Sequence, residues 1–282
     1  PTANTAKVAQ EKGIETHVDF FGTKLAKTLK SKGYSPYLML GNNVLAHVPD
    51  IKDFVEGFKI LLSEEGLLTF EFPHLMQLVE NHQFDTIYHE HFSYLSLHTV
   101  EQVFEHFELR LFDVEEIPTH GGSLRVYVCH KNNTGFENTE RLAVMKEKEI
   151  SRGMNDLSYY LEFQSATDKV RDDLKKFVSK TKAEGKVIAG YGAAAKGNTL
   201  LNYSGITNDD VSFVVDANPH KQGSFMPGSH IPVFDPVKIS QDKPDYILIL
   251  PWNIKEEIQS NLSYIRNWGG QFVVAVPELT VF

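Results

Sequence analysis

Two stretches of the chain alternate apolar runs of strand length with amphipathic runs of helix length, and a long segment of helical period lies between them. After a helical opening over residues 2–9 that ends at Gly13, residues 14–21 alternate like a strand. Residues 23–32 then take helical spacing, 37–41 form an apolar strand, 51–62 a helix and 67–72 a strand. Strands alternating with helices in units of this size predict a parallel sheet covered on both faces. From His74 to His98 the period breaks into a loop-like segment rich in histidine and aromatic residues, the kind of insertion that carries function. A helix over 100–107 follows. The β-rich runs 109–114 and 123–129, joined through Thr119-His120-Gly121-Gly122, are expected to pair antiparallel and close the first sheet.

Residues 138–184 contain no proline and carry Leu142, Met145, Ile150, Met154, Leu157, Leu161, Val170, Leu174 and Val178 at helical spacing. They predict one long helix, or two broken near Gly153. A second alternating series begins at 186–191 (strand) and continues with 193–203 (helix), 211–216 and 246–250 (strands), 254–266 (helix) and 271–276 (strand). The expected organisation is a first α/β domain over 1–135, a bridging helical segment over 136–184 and a smaller α/β domain over 185–282.

Composition narrows the function classes. Among 282 residues, 41% are hydrophobic and 23% charged, which are globular values. Twenty-eight Lys and Arg against 37 Asp and Glu give a net charge of −9, the wrong sign for gripping a phosphate backbone, so no nucleic-acid partner is expected. The single cysteine, Cys129, can form no internal disulfide and no four-cysteine zinc cage, which suits a reducing compartment. No apolar run is long enough to span a bilayer and no signal segment opens the chain, so the protein is expected to be cytoplasmic.

The densest chemistry is Phe84-Asp85-Thr86-Ile87-Tyr88-His89-Glu90-His91. Two imidazoles, a carboxylate and a phenol within four residues make an acid–base set, because His titrates near neutrality and a carboxylate can fix its tautomer. If extended, the segment puts His89 and His91 on one face and Tyr88 and Glu90 on the other; if it turns, all four converge. A polar loop with satisfied histidines explains the cluster as well. Six of the 12 histidines fall between His47 and His98, but their spacing matches neither an H-E-x-x-H helix nor a cysteine-assisted site, and no metal is expected.

Asn42, Asn43 and His47 follow an apolar strand and precede a helix, where an open sheet binds its ligands, although the asparagines also suit a simple turn and cap. In Thr119-His120-Gly121-Gly122-Ser123-Leu124-Arg125 the glycines permit a hairpin turn or a close ligand approach, beside a guanidinium. Gly190-Tyr191-Gly192-Ala193-Ala194-Ala195-Lys196-Gly197 follows a strand and opens a helix, as in G-x-G-x-x-A. Backbone N–H groups and Lys196 are thus placed for a phosphate. Asp216 lies where a ribose-binding acid of a dinucleotide site is expected, and packing alone also explains the glycines.

Taken together, the run 42–50, the segment from Glu71-Phe72-Pro73-His74 through His91, the turn 120–125 and the loop 190–197 resemble the S-adenosylmethionine-dependent C-methyltransferases of nucleotide-linked deoxysugars, over essentially the whole chain. The resemblance implies a truncated class I methyltransferase (Rossmann-like) sheet domain followed by a smaller Rossmann-like, nucleotide-binding-like α/β domain. Relative to that plan, a zinc-binding module of four cysteines and the first cofactor-binding strand are absent, and Tyr37 stands where the family often has Asp. A truncated chain that binds the cofactor poorly is therefore expected, with zinc confined to the absent module.

By position, the resemblance makes His91 the base that removes a proton beside the ketone of a thymidine-diphosphate-linked (dTDP-linked) keto-deoxysugar. Glu90 would orient His91, and Tyr88 and His47 would bind the enolate oxygens. Asp19, Phe20, Phe21, Asn42 and Asn43 would line the S-adenosylmethionine site, and Gly190, Gly192, Lys196 and Arg125 would meet the diphosphate. The sugar is expected between the two domains. The alternatives are a nicotinamide-dependent oxidoreductase using 190–197 with Asp216, or a non-catalytic nucleotide-binding fragment.

Overall fold

The computed structural model describes residues 2–282. In chain order the first elements are α1 (Ala3–Glu11), α2 (Thr23–Ser31), β1 (Leu38–Asn42), α3 (Ile51–Leu61), β2 (Leu67–Pro73), α4 (Leu75–Glu80), α5 (Leu97–His106), β3 (Leu109–Ile117), β4 (Ser123–His130) and α6 (Glu140–Ser151). They are followed by α7 (Ser158–Leu161), α8 (Phe163–Ala183), β5 (Ile188–Tyr191), α9 (Ala195–Ser204), β6 (Phe213–Val215), β7 (Val233–Phe234), α10 (Val237–Asp242), β8 (Tyr246–Ile249), α11 (Lys255–Asn261), β9 (Gln271–Val274) and β10 (Thr280–Val281). Among the described residues no helix is long and apolar enough to cross a membrane.

The chain forms two compact units that do not follow sequence order. The first comprises the chain up to His74 with Phe92–Ile117 and Ser123–Ser151, and the second comprises Leu75–His91, Pro118–Gly122 and Arg152–Phe282. The segment carrying Tyr88–His91 thus belongs by its contacts with the Gly190–Lys196 loop. The reason is apolar: the Phe84 side chain is buried in the second unit's core among Leu174, Leu200 and Trp252, with its ring 5.1 Å from that of Tyr203.

The first unit is a mixed sheet in the order β1-β2-β4-β3, with β1 and β2 parallel and β4 antiparallel to both its neighbours. Phe70, on the central strand β2, is fully buried, and the rings of Phe58 on α3 and Phe104 on α5 lie 4.9 and 5.2 Å from it. Burying one such ring contributes roughly 1.5–3 kcal/mol. The strand expected over 14–21 does not form. Its alternating residues Ile14, Val18 and Phe20 are exposed, and a strand without a paired neighbour leaves its backbone groups to water.

The buried Glu149 of α6 holds this unit's helices together. Its Oε1 accepts from the Leu97 backbone N–H (2.6 Å) and from His74 Nε2 (2.7 Å), and its Oε2 accepts from the His98 backbone N–H (3.0 Å). One carboxylate therefore caps α5, where the helix dipole favours an anion, and anchors the end of β2.

The second unit is a doubly wound sheet. Five parallel strands run in the order β7-β6-β5-β8-β9, and β10 closes the β9 edge antiparallel. The connection reverses direction between β5 and β8, so the crevice at their carboxyl ends is this unit's natural ligand position. The helix expected over 254–266 divides into α11 and a 3-10 turn at Ser263–Trp268, and the one expected after Asn138 divides into α6, α7 and α8.

Burial pushes the Glu149 carboxyl up, but the His74 hydrogen bond and the two backbone N–H groups outweigh it and hold it below 4.5. Its contribution to stability is therefore present above that value and is lost as the pH falls through the lowered one. Glu149→Ala should destabilise the chain by about 3 kcal/mol in urea unfolding at pH 7, because it strands a buried imidazole and two helix N–H groups. The difference from the parent should shrink as the pH falls below 4.5. An unchanged midpoint would remove Glu149 from this role.

Candidate functional site

In the second unit the crevice is built from four segments far apart in sequence. Gly192 ends the β5 turn at φ +94°, and a Cβ there would stand 2.6 Å from the Pro251 ring, so only glycine fits. Helix α9 starts at Ala195, leaving its first N–H groups without intrahelical acceptors and aimed out of the sheet. Gly190 and Gly197 have a packing reason, since a Cβ at either would press on Val214 or Leu250.

Lys196 rests on the indole of Trp252, its Nζ 4.5 Å from the ring centroid and donating to Asn253 Oδ1 at 3.0 Å. Burial holds its ammonium below the usual lysine value, against the pull of Asp85. The Trp252 Nε1–H donates to Asp85 Oδ2 at 2.7 Å, while Asp85 Oδ1 is buried without a hydrogen-bond partner. Asp85 is fully buried, which pushes its carboxyl up to about 6 despite the indole N–H and Lys196. At the opposite edge of the indole lies Gly121, where a Cβ would be 2.4 Å from the ring. Gln83 Nε2 ties that turn down by donating to the Gly121 carbonyl at 2.8 Å. The glycine at 121 is thus explained by the tryptophan.

Residues 88–91 turn, with the His91 N–H donating to the Tyr88 carbonyl at 3.0 Å and the two rings 4.4 Å apart. His91 Nδ1 lies 2.7 Å from the Thr86 carbonyl oxygen. A carbonyl only accepts, so Nδ1 carries a proton, and whenever the ring is neutral Nε2 is its basic nitrogen. The group orienting Nδ1 is a backbone carbonyl, which no sequence pattern marks. Glu90, expected in that role, is exposed.

The first unit holds the other expected residues. Asn43, just beyond β1, takes a left-handed conformation and donates its N–H to the Glu71 carbonyl at 2.8 Å, leaving a buried Oδ1 without a partner. Asn42 ends β1, paired with Glu71, and His47 is exposed on a short 3-10 turn. The exposed Asp19 accepts the Phe20 N–H at 2.8 Å, and the Phe20 ring is 78% exposed. The Phe21 ring lies 4.5 Å from that of Phe58, packed against the core. Arg125 Nε and Nη2 donate to Glu71 Oε1 at 2.7 and 2.5 Å, and its Nη1 donates to Glu115 Oε2 at 3.2 Å, so its guanidinium is held within the sheet's own ion-pair network.

Asp216 also serves its own chain. Its Oδ2 accepts the Ala193 N–H, its Oδ1 accepts the Asn218 N–H, both at 2.8 Å, and Lys221 Nζ lies 3.2 Å from Oδ2. The carboxylate that carried the dinucleotide alternative braces the glycine loop. Residues that sequence reasoning missed are Thr86, Asp85, Trp252 and Asn253. The last two lie just past the predicted end of a strand in an open sheet, which is the signal that marks them.

Residues 118–277 match the family described as the C-methyltransferase C-terminal domain. The C-methyltransferase NovU of Streptomyces niveus is 37% identical over 278 residues, which cover 99% of this chain and 66% of that protein. The chain therefore spans just under two thirds of that relative's length. Among solved structures, M1.HpyAVI overlaps 45% of this chain and 66% of its own at a TM-score of 0.27 and 7% identity. The M1.HpyAVI-SAM complex overlaps 39% and 50% at 0.26 and 8%. Neither overlap is close enough to bear on the site.

A folded value of about 6 for Asp85, against 3.8 for the free side chain, means that ionisation opposes folding. The stability gained from keeping this group protonated is complete below 3.8 and is lost as the pH rises through about 6. A carbon-detected NMR titration should show one aspartate carboxyl with a midpoint near 6 that disappears in Asp85→Asn. If every aspartate titrates below 4.5, the burial described for Asp85 is wrong.

Proposed function

Since the chain belongs to the C-methyltransferase family, whose C-terminal domain covers residues 118–277, we propose that it takes part in methyl transfer from S-adenosylmethionine to a carbon beside the ketone of a dTDP-linked keto-deoxysugar. The observation that carries this reading is the 2.7 Å contact between His91 Nδ1 and the Thr86 carbonyl, which fixes the tautomer in which Nε2 is the basic atom. Nε2 removes the proton from the carbon next to the ketone. The electron pair moves onto the ketone oxygen, and a hydrogen bond from Tyr88, in the same compact unit, holds the resulting enolate. Such donors, fixed before charge develops, give the largest share of barrier lowering in reactions of this kind.

S-adenosylmethionine supplies the electrophilic methyl group on a sulfonium. The buried, unpartnered Oδ1 of Asn43 and the exposed ring of Phe20 fit a polar cofactor with an aromatic base, and with Asp19 and Asn42 they are the residues that would hold it. Phe21 supports this group from the core. The diphosphate is assigned to the N–H groups at the start of α9 and to Lys196, in the same compact unit as His91. Anions are favoured there by the helix dipole and the oriented amides.

Removal of the proton can be followed by incubating the keto-sugar nucleotide with the full chain in D2O and watching deuterium enter beside the ketone. His91→Ala should slow this exchange about 10²–10⁴-fold, the usual size of a general-base contribution, with sugar-nucleotide affinity nearly unchanged. Exchange at the parent rate would rule out His91 as the base.

A further inference from the structure

The second unit contains a group that the proposed reaction leaves unused, the buried carboxylate of Asp85. Burying a carboxyl is costly, and here one oxygen has no hydrogen-bond partner at all. A backbone carbonyl or a hydroxyl would satisfy the Trp252 indole N–H with less desolvation. What the carboxylate adds is a fixed anchor for an aromatic ring whose face carries a cation.

The indole is held on three sides by segments remote in sequence. Asp85 takes its N–H at 2.7 Å, the Gly121 backbone closes its far edge, and the Lys196 ammonium lies over its face, 4.5 Å from the centroid. A free lysine side chain loses most of its rotamer freedom when a ligand fixes it. Lys196, held by the ring and by Asn253, has already lost much of it, and a preorganised cation binds an anion more tightly than a mobile one.

We propose that Asp85 is a positioning residue for the diphosphate of the substrate: by accepting the Trp252 indole N–H it fixes the ring on which Lys196 holds its ammonium at the start of α9. The inference rests on the reading of the Gly190–Lys196 loop as the diphosphate site. Asp85 touches no ligand atom. It acts only through Trp252 and Lys196, so its effect on binding depends on both.

The test is calorimetric titration of the full chain with thymidine diphosphate, with thermal unfolding of each variant as a control. Lys196→Ala should give the largest loss of affinity. Asp85→Ala and Trp252→Phe each break the same hydrogen bond and should each weaken binding about tenfold, roughly 1.4 kcal/mol. Asp85→Asn keeps an acceptor for the indole and should stay within about threefold of the parent. The deciding measurement is the cycle with Lys196→Ala. In that background Asp85→Ala should cost no further affinity, although a merely structural role would still add its full effect.

If thymidine diphosphate fails to bind the parent chain, or if Lys196→Ala leaves binding intact, the diphosphate reading itself falls. If Lys196→Ala weakens binding while Asp85→Ala does not, or if Asp85→Ala weakens it equally without Lys196, the diphosphate reading stands and the positioning role is overturned. Should Asp85→Ala fail to fold, Trp252→Phe completes the same cycle with Lys196→Ala, and its outcomes decide in the same way.

Discussion

A hydrogen bond between residues 167 positions apart, from the Trp252 indole to the Asp85 carboxylate, organises the second unit. It fixes the 84–86 turn against the end of β8, and that turn supplies the Thr86 carbonyl to which His91 is anchored. The same indole supports Lys196 on its face and requires glycine at 121. His91, Lys196 and the glycine turn therefore share one support. A buried bond to a carboxylate suits this role, because breaking it strands a charge with no water to solvate it.

The first unit uses the same device for a different purpose. Glu149 accepts two N–H groups of α5 and one from His74, so that α6, α5 and the end of β2 are joined at one buried carboxylate. The two acids respond to burial in opposite ways. Glu149 has three donors and is held low, whereas Asp85 has one indole donor, with Lys196 acting on it electrostatically, and is pushed up to about 6.

For function, the important consequence is that His91, the proposed base, and the proposed diphosphate cradle lie in one compact unit. Binding energy from a part of a substrate remote from the reacting centre can be used to orient the reacting carbon. Asp216, the acid a dinucleotide site would use, is bonded to the loop's own backbone at Ala193.

Much of the architecture was legible in the sequence. The parallel, doubly wound sheet followed from strand and helix periods, and the β3–β4 pairing from two β-rich runs around a glycine turn. These properties are local, and alternation can be read within a dozen residues. Three others could not be read this way. The 14–21 run has strand alternation but no pairing partner, and a strand is stable only in a sheet. The orienting partner of His91 is a backbone carbonyl, which every residue possesses, so residue identity does not reveal it. The Arg125 guanidinium, expected at a diphosphate, is held by Glu71 and Glu115 because strand register puts them beside it. The sequence by itself determined which groups are available and which segments fold as helix or strand. Only the tertiary structure decided which acid meets which donor, because hydrogen bonds and desolvation act over a few ångströms in space and ignore separation along the chain.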